Sequence, residues 1–380
     1  MTIRIFTIVG ARPNFMKAAP IHAAAIRKGV DHRIIHTGQH YDEAMSKIFF
    51  DELGMPEPVV YLGVGSGSHA VQTANIMIGL EKVFMEHEPD LVNVVGDVNS
   101  TVAAALVAKK LHIPVCHTEA GLRSRDLQMP EEINRMVTDV ISDLLLTPSV
   151  DGDENLLAEG KTRESIVCVG NVMIDTLFMN LPKAKELNTL EELSLKEGNY
   201  AVLTMHRPSN VDDETAFTRV ANALLKIADQ IPVVFPVHPR AAKNMDKFGL
   251  TNRFESHQNI QLLKPLGYLE FMSLVSRSKF VLTDSGGLQE ETTALGIPCV
   301  TLRENTERPI TATEGTNTIV GTDANKIDEV CQDILSDKGK QGRVPELWDG
   351  KASERILDAM TKFLGANERE HVKMASQNKT

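Results

Sequence analysis

The stretch "LVNVVGDVNSTVAAALVAKKLHIPVCHTEAG", Leu91 to Gly121, sets two short apolar runs around an alanine-rich segment of helical spacing. The first run breaks at Gly96-Asp97 and the second at Glu119-Ala120-Gly121. Strand, helix and strand in that order predict parallel strands joined by a right-handed crossover. A carboxylate and a glycine then stand where each strand finishes, at the edge of a parallel sheet where ligands bind.

The same alternation extends both ways. "IRIFTIVG", "DHRIIHTG" and "LLLTPS" read as strands, and "PNFMKAAPIHAAAIRK", "HAVQTANIMIGLEKVFMEH" and "PEEINRMVTDVISD" as helices. The pattern restarts at "SIVCVGNVMIDTL", which reads as the entry to a second unit. "NYAVLTMHRP", "IPVVFPVHPR", "IQLLKPLGY", "KFVLTDSGG" and "IPCVTLREN" follow as strands, and "ASERILDAMTKFLG" as a terminal helix. The expected fold is α/β, with two Rossmann-like, doubly wound domains: residues 1–169, residues 170–360, and a polar tail at 361–380 whose end frays.

Bulk composition narrows the function. A chain of 380 residues with 42% hydrophobic and 24% charged residues suits two soluble domains. A net charge of −11 argues against nonspecific nucleic-acid binding. The four cysteines are far apart and lack metal-ligand spacing, so no disulfide framework or metal site is implied. No window approaches the roughly 18 apolar residues of a membrane span, and the N-terminus lacks a signal-peptide core, so a cytoplasmic protein is expected.

The strand ends carry the chemistry. "GARPNFMK" offers Arg12 and Lys17 for an anion, without the pattern of a dinucleotide or P-loop site. Asp97, Glu119 and Glu131 fall at one sheet edge, where crowded carboxylates suit proton transfer. Taken singly, Asp97 fits a helix cap and Glu131 a helix N-terminus, and Glu131 also pairs with Arg135 at i,i+4. His206 in "TMHRP" and His238 in "PVHPR" each end a strand beside an arginine. In "LTDSGGLQEE", Ser285 suits a helix cap, Gly286 and Gly287 bare their amides to phosphate, and Glu291 suits a ribose diol. Leu266 and Phe271 suit a base-binding loop, with core packing an equal use for Phe271.

Together "GARPNFMKAAP", "GDVNSTVA", "HTEAGLRS", "PEEINR", "TMHRP", "PVHPR", "DSGGLQEE" and "TERPITATEGTN" closely resemble the non-hydrolysing UDP-N-acetylglucosamine 2-epimerases over about residues 3–360. The resemblance implies the GT-B architecture, two Rossmann-like domains around a cleft. It implies interconversion of UDP-GlcNAc and UDP-ManNAc, by anti elimination of UDP to 2-acetamidoglucal and re-addition, with no metal or redox cofactor. It implies Asp97, Glu119, Glu131 and His206 as catalytic groups. Arg12 and Lys17 then sit at the diphosphate and active site, Ser285, Gly286 and Gly287 cradle UDP with Glu291 on the ribose, Leu266 and Phe271 contact the uracil, and Arg308 is a further nucleotide-contacting arginine. A homodimer and a place in surface-polysaccharide precursor synthesis are implied too.

Two departures stand out. "HRPSN" carries Ser209 where the family often has glutamate. "GQHYD" keeps Gln39 and His40 of an activation motif but has Tyr41 and Asp42 beyond them. The rival readings are a hydrolysing 2-epimerase, a relative acting on a UDP-diacetamido uronic acid, a GT-B glycosyltransferase and a non-catalytic sensor. "GDVNST" with "HTEAGLRS" favours the non-hydrolysing type, and a sensor would need no proton-transfer groups.

Overall fold

The computed structural model describes residues 3–39 and 55–377, with only the backbone of Arg12 and of the residues after Ala366. The chain forms two compact units, Met1–Thr176 with Glu346–Thr380, and Leu177–Pro345.

The first unit is a parallel seven-stranded sheet, β1 (Arg4–Val9), β2 (Asp31–His36), β3 (Val60–Tyr61), β4 (Leu91–Val95), β5 (Val115–Thr118), β6 (Leu144–Thr147) and β7 (Ile166–Cys168), in the order β3-β2-β1-β4-β5-β6-β7. The order reverses between β1 and β4, which opens a crevice at their carboxyl ends. Pleating sends alternate β1 residues to opposite cores. Ile5 packs with Ile21 and Leu91, and Phe6 with Ile76, Leu80 and Val94. The helix Arg12–Lys28 starts with proline in its first turn and stops at Gly29, whose φ of 68° lets its amide cap the last carbonyls.

The second unit is a parallel six-stranded sheet, β8 (Ala201–Thr204), β9 (Val233–Pro236), β10 (Ile260–Leu263), β11 (Phe280–Thr283), β12 (Cys299–Thr301) and β13 (Asn317–Ile319), in the order β10-β9-β8-β11-β12-β13. Its reversal lies between β8 and β11. Leu203, Phe235, Leu282 and Val300 pack there against Phe217, Val220 and Leu224 of the Glu214–Ala228 helix.

Two expectations need correction. "SIVCV" opens no second sheet: Ile166–Cys168 pairs with β6 and closes the first. Residues 346–360, expected in the second domain, and 361–380, expected as a separate tail, fall in the first unit. The helix Ala352–Gln377 presents Ala352, Ile356, Leu357, Met360 and Leu364 at helical spacing to the core of Ile5 and Ile21. Asp175 caps its start, accepting from the amides of Ala352 (3.0 Å) and Ser353 (2.7 Å), and the Trp348 indole donates to the Pro148 carbonyl. The expected fraying falls on residues whose side chains lie outside the described set.

The helix Pro130–Ile141 has its apolar stripe outside and its polar face inside. Ile133, Met136, Val137 and Val140 are exposed, while Glu132, Asn134, Arg135, Thr138 and Asp139 are buried. Of the inward groups, Glu132, Asn134, Arg135 and Asp139 bond to the turns that follow β4 and β5, so this helix frames a site rather than filling a core.

Candidate active site

In the first unit the side chains converge at the ends of β1, β4 and β5. Asn14 accepts from the amides of Gly10 and Ala11 and donates to the Val95 carbonyl, tying the turn after β1 to the end of β4. One turn on, the Lys17 ammonium meets the Glu119 carboxylate, and both are buried. Gly96, between β4 and Asp97, has φ 69°, and a Cβ there would lie 3.1 Å from Lys17 Nζ and 3.3 Å from Glu119 Oε2. The positive φ favours glycine, and any side chain there would press on both groups. Glu119 itself sits at φ 75°, a left-handed conformation that costs a non-glycine residue about 1–2 kcal/mol.

Asp97 does not cap the following helix: the cap position is Val98, with no side-chain bond. Its carboxylate instead receives Arg135 at 2.5 Å, and its carbonyl receives Asn134. The expected Glu131–Arg135 pair gives way to Glu132–Arg135 at 2.8 Å. Glu132 also accepts the amides of Ser124 and Arg125. Burial works against its charge, but those amides and Arg135 hold its carboxyl below the usual range. Glu131, half-buried, stands beside it in the first turn.

In the second unit His206 follows β8, and its Nδ1 lies 2.8 Å from Asp284 Oδ1 at the end of β11. The Asp284 carboxylate, fully buried, also accepts the amides of His206 and Arg207 and the side chain of Asn210. Burial alone would raise its pKa, yet these donors hold it below the usual range. The His238 ring, 5.8 Å from that of His206, caps its own helix by accepting from the Arg240 amide. Burial, then neighbouring His206, lowers the His238 pKa.

Ser285 occupies the cap position of the Gly286–Leu295 helix but makes no side-chain capping bond, contrary to one reading of the sequence. Nothing lies within 4 Å of where a Gly287 Cβ would stand, whereas one on Gly286 would meet the Arg308 guanidinium at 2.8 Å. Arg308 is held by Glu290 at 2.9 Å, with Glu307 at 3.7 Å. Glu307 is gripped by Arg303 through both oxygens. Despite burial, that grip and the charge of Arg308 bring its pKa down to about 2. Glu291 is buried and accepts from the Tyr268 hydroxyl at 3.2 Å. Leu266 lies in the loop after β10, and Phe271, on the Tyr268–Val275 helix, is half-buried rather than core.

Each unit thus gathers its own sequence-predicted residues. Lys17, Glu119 and the Gly96-Asp97 turn meet in the first, as do His206 and His238, and Gly286 and Arg308, in the second. The Arg12 side chain and the activation stretch His40, Tyr41 and Asp42 lie outside the described residues. Gln39 is described, and its amide oxygen accepts from both the amide and the hydroxyl of Ser100. Sequence reading assigned no role to Glu132, Asp284 or Glu290. The acidic pairs "PEE" and "QEE" hide which partner faces inward, and "TDSGG" drew notice to its glycines rather than its aspartate.

The family model described as UDP-N-acetylglucosamine 2-epimerase matches residues 22–361. A UDP-N-acetylglucosamine 2-epimerase of Methanocaldococcus jannaschii is 40% identical, over 94% of this chain and 99% of its own. A UDP-2,3-diacetamido-2,3-dideoxy-D-glucuronate 2-epimerase of Pseudomonas aeruginosa is also 40% identical, over 95% of this chain and 100% of its own. The M. jannaschii enzyme solved with UDP-GlcNAc and UDP superposes with a TM-score of 0.84, covering 95% of this chain and all of that one. The Neisseria meningitidis enzyme bound to UDP-GlcNAc, 29% identical, gives 0.84 over the same shares. With strand-end carboxylates and a glycine-led helix set in two Rossmann-like sheets, this chain belongs to the UDP-N-acetylglucosamine 2-epimerase family.

Proposed function

We propose that the protein interconverts UDP-GlcNAc and UDP-ManNAc at C2 without hydrolysing either. The observation that carries this reading is the pair of cation-held carboxylates at one switch point, Glu119 on Lys17 and Asp97 on Arg135. Removing the C2 hydrogen needs a positioned base, and returning a proton to the opposite face needs a second group. As the base takes that hydrogen, the C1–O bond to UDP breaks, its electron pair leaves with the diphosphate, and 2-acetamidoglucal forms. UDP then adds back to C1 while C2 is protonated from the other face. The cycle is redox-neutral.

Asp97, Glu119, Glu131 and His206 are the proton-transfer groups. Lys17, Arg12 and Arg308, with Ser285 and the amides of Gly286 and Gly287, stabilise the leaving diphosphate. Glu291 binds the ribose, Leu266 and Phe271 the uracil, and His238, at a strand end beside Arg240, the anionic part of the substrate. A cytoplasmic homodimer supplying surface-polysaccharide precursors completes the proposal. The exposed stripe Ile133, Met136, Val137 and Val140 supports the dimer.

The test is incubation with UDP-GlcNAc in deuterated water, followed by NMR. Deuterium at C2 in sugar still attached to UDP, with UDP-ManNAc formed, is the expected result. Release of free ManNAc would identify a hydrolase instead. Asp97→Asn and Glu119→Gln should each lose most turnover and still bind UDP. The equal identity to the Pseudomonas relative favours a second reading, the same chemistry on a UDP-2,3-diacetamido uronate, and that sugar belongs in the same exchange assay.

A further inference from the structure

His117, in the middle of the β5 ending, is fully buried, and each of its ring nitrogens faces an oxygen. Nε2 lies 2.8 Å from the Gly96 carbonyl and Nδ1 2.6 Å from Asp139 Oδ1. A carbonyl only accepts, so Nε2 carries a hydrogen and donates it. Asp139 Oδ2 accepts the Gly121 amide at 3.1 Å and the Arg123 guanidinium at 2.8 Å. Burial opposes the charge on Asp139, but His117 and Arg123 hold its carboxyl below the usual range. Arg123 is fixed in turn by a fork onto Glu159.

The couple therefore grips two turns at once. On one side it holds the carbonyl of left-handed Gly96, which immediately precedes Asp97. On the other it holds the amide of Gly121, two residues past left-handed Glu119, whose own amide is fastened to the Leu146 carbonyl. We infer that His117 and Asp139 are positioning residues that fix the backbone beneath both Asp97 and Glu119, so that the two carboxylates keep a set separation. This rests on the reading that Asp97 and Glu119 transfer the protons at C2. Neither His117 nor Asp139 reaches the substrate in this role.

The test compares His117→Leu, His117→Gln and Asp139→Asn with the wild type. A misplacement of about 1 Å costs about 10²-fold in rate. The expected result is kcat for UDP-GlcNAc about 10²-fold lower in His117→Leu, with C2 deuterium exchange slowed in parallel. KM and the Kd for UDP should stay within about threefold, since only the chemical step is touched. His117→Gln, which keeps a donor toward Gly96, should recover part of the loss. Asp139→Asn is isosteric and reports even where His117→Leu fails to fold. Adding it to His117→Gln should cost less than the two single losses combined, because the two residues act as a unit. Wild-type kcat in folded Asp139→Asn and His117→Gln, while Asp97→Asn and Glu119→Gln are inactive, would overturn the inference and leave the function intact. Normal turnover in Asp97→Asn and Glu119→Gln would instead remove the function on which it rests.

Discussion

His206 Nδ1 and Asp284 Oδ1 lie 2.8 Å apart, joining the end of β8 to the end of β11 across the switch point of the second sheet. The aspartate is sealed and the imidazole is 42% exposed, so the ring is anchored by one nitrogen and offers the other outward. The same carboxylate takes the amides of His206 and Arg207, which fixes the backbone as well as the ring.

Asp284→Asn is therefore expected to weaken both function and fold. Its amide nitrogen would face a donor where the wild type has an acceptor, at a cost of about 1–3 kcal/mol. Urea unfolding should show a loss of that size. Turnover of UDP-GlcNAc should fall about 10²-fold as the ring loses its orientation. An unchanged kcat would show that His206 needs no such anchor.

Gly287 separates ligand approach from folding. A methyl group there has open space, and the residue lies in the first turn of its helix. Gly287→Ala should leave the Tm unchanged or raise it, since alanine favours a helix by about 1 kcal/mol. UDP affinity by titration calorimetry should nevertheless fall at least tenfold if the diphosphate lies against that amide. Wild-type affinity would place the diphosphate elsewhere.

Acid should weaken the first unit through His32. Its Nε2 lies 2.7 Å from Thr7 Oγ1 and its Nδ1 2.9 Å from His22 Nδ1. Burial, reinforced by His22 and only partly offset by Asp31, lowers its pKa to about 3, and burial lowers that of His22 too. The unfolded chain then binds the proton that the folded chain refuses. Stability is full above about pH 6.5 and is lost as pH falls toward 3, at up to about 1.4 kcal/mol per pH unit for one group. Urea midpoints at pH 7 and pH 5 should differ more for the wild type than for His32→Gln. Equal differences would show that His32 carries none of the acid sensitivity.

The exposed stripe of the Pro130–Ile141 helix should behave as an interface. Val140, 66% exposed, lies on it with Ile133, at 50%. Val140→Glu and Ile133→Glu together should shift light-scattering mass from dimer to monomer without loss of helical signal. A dimer that survives both changes would use another face.

Most of the architecture could be read from the sequence because buried parallel strands are runs of apolar residues, and each run here ends in glycine or a polar group. β3 and β13, of two and three residues, are too short to show a period. The return of the C-terminal helix was invisible, because an amphipathic stripe says that a core exists but not whose. The direction of the Pro130–Ile141 helix was hidden for a related reason. Its polar face is buried by bonds to Asp97 and to residues 121–125, and no periodicity reports such partners. The main carboxylates were legible because strand ends place them. Glu132 and Asp284 were not, because many of their partners are backbone amides, which every residue has.

The return of Glu346–Thr380 to the first unit has a consequence for synthesis. The ribosome delivers β1 to β7 early, but Ile356, Leu357 and Met360, which line Ile5 and Ile21, emerge only after the second unit. The later unit can finish folding while the earlier one still shows an unsealed flank. Truncation before Ala352 should thus expose apolar surface on β1 and the Arg12–Lys28 helix, far in sequence from the cut.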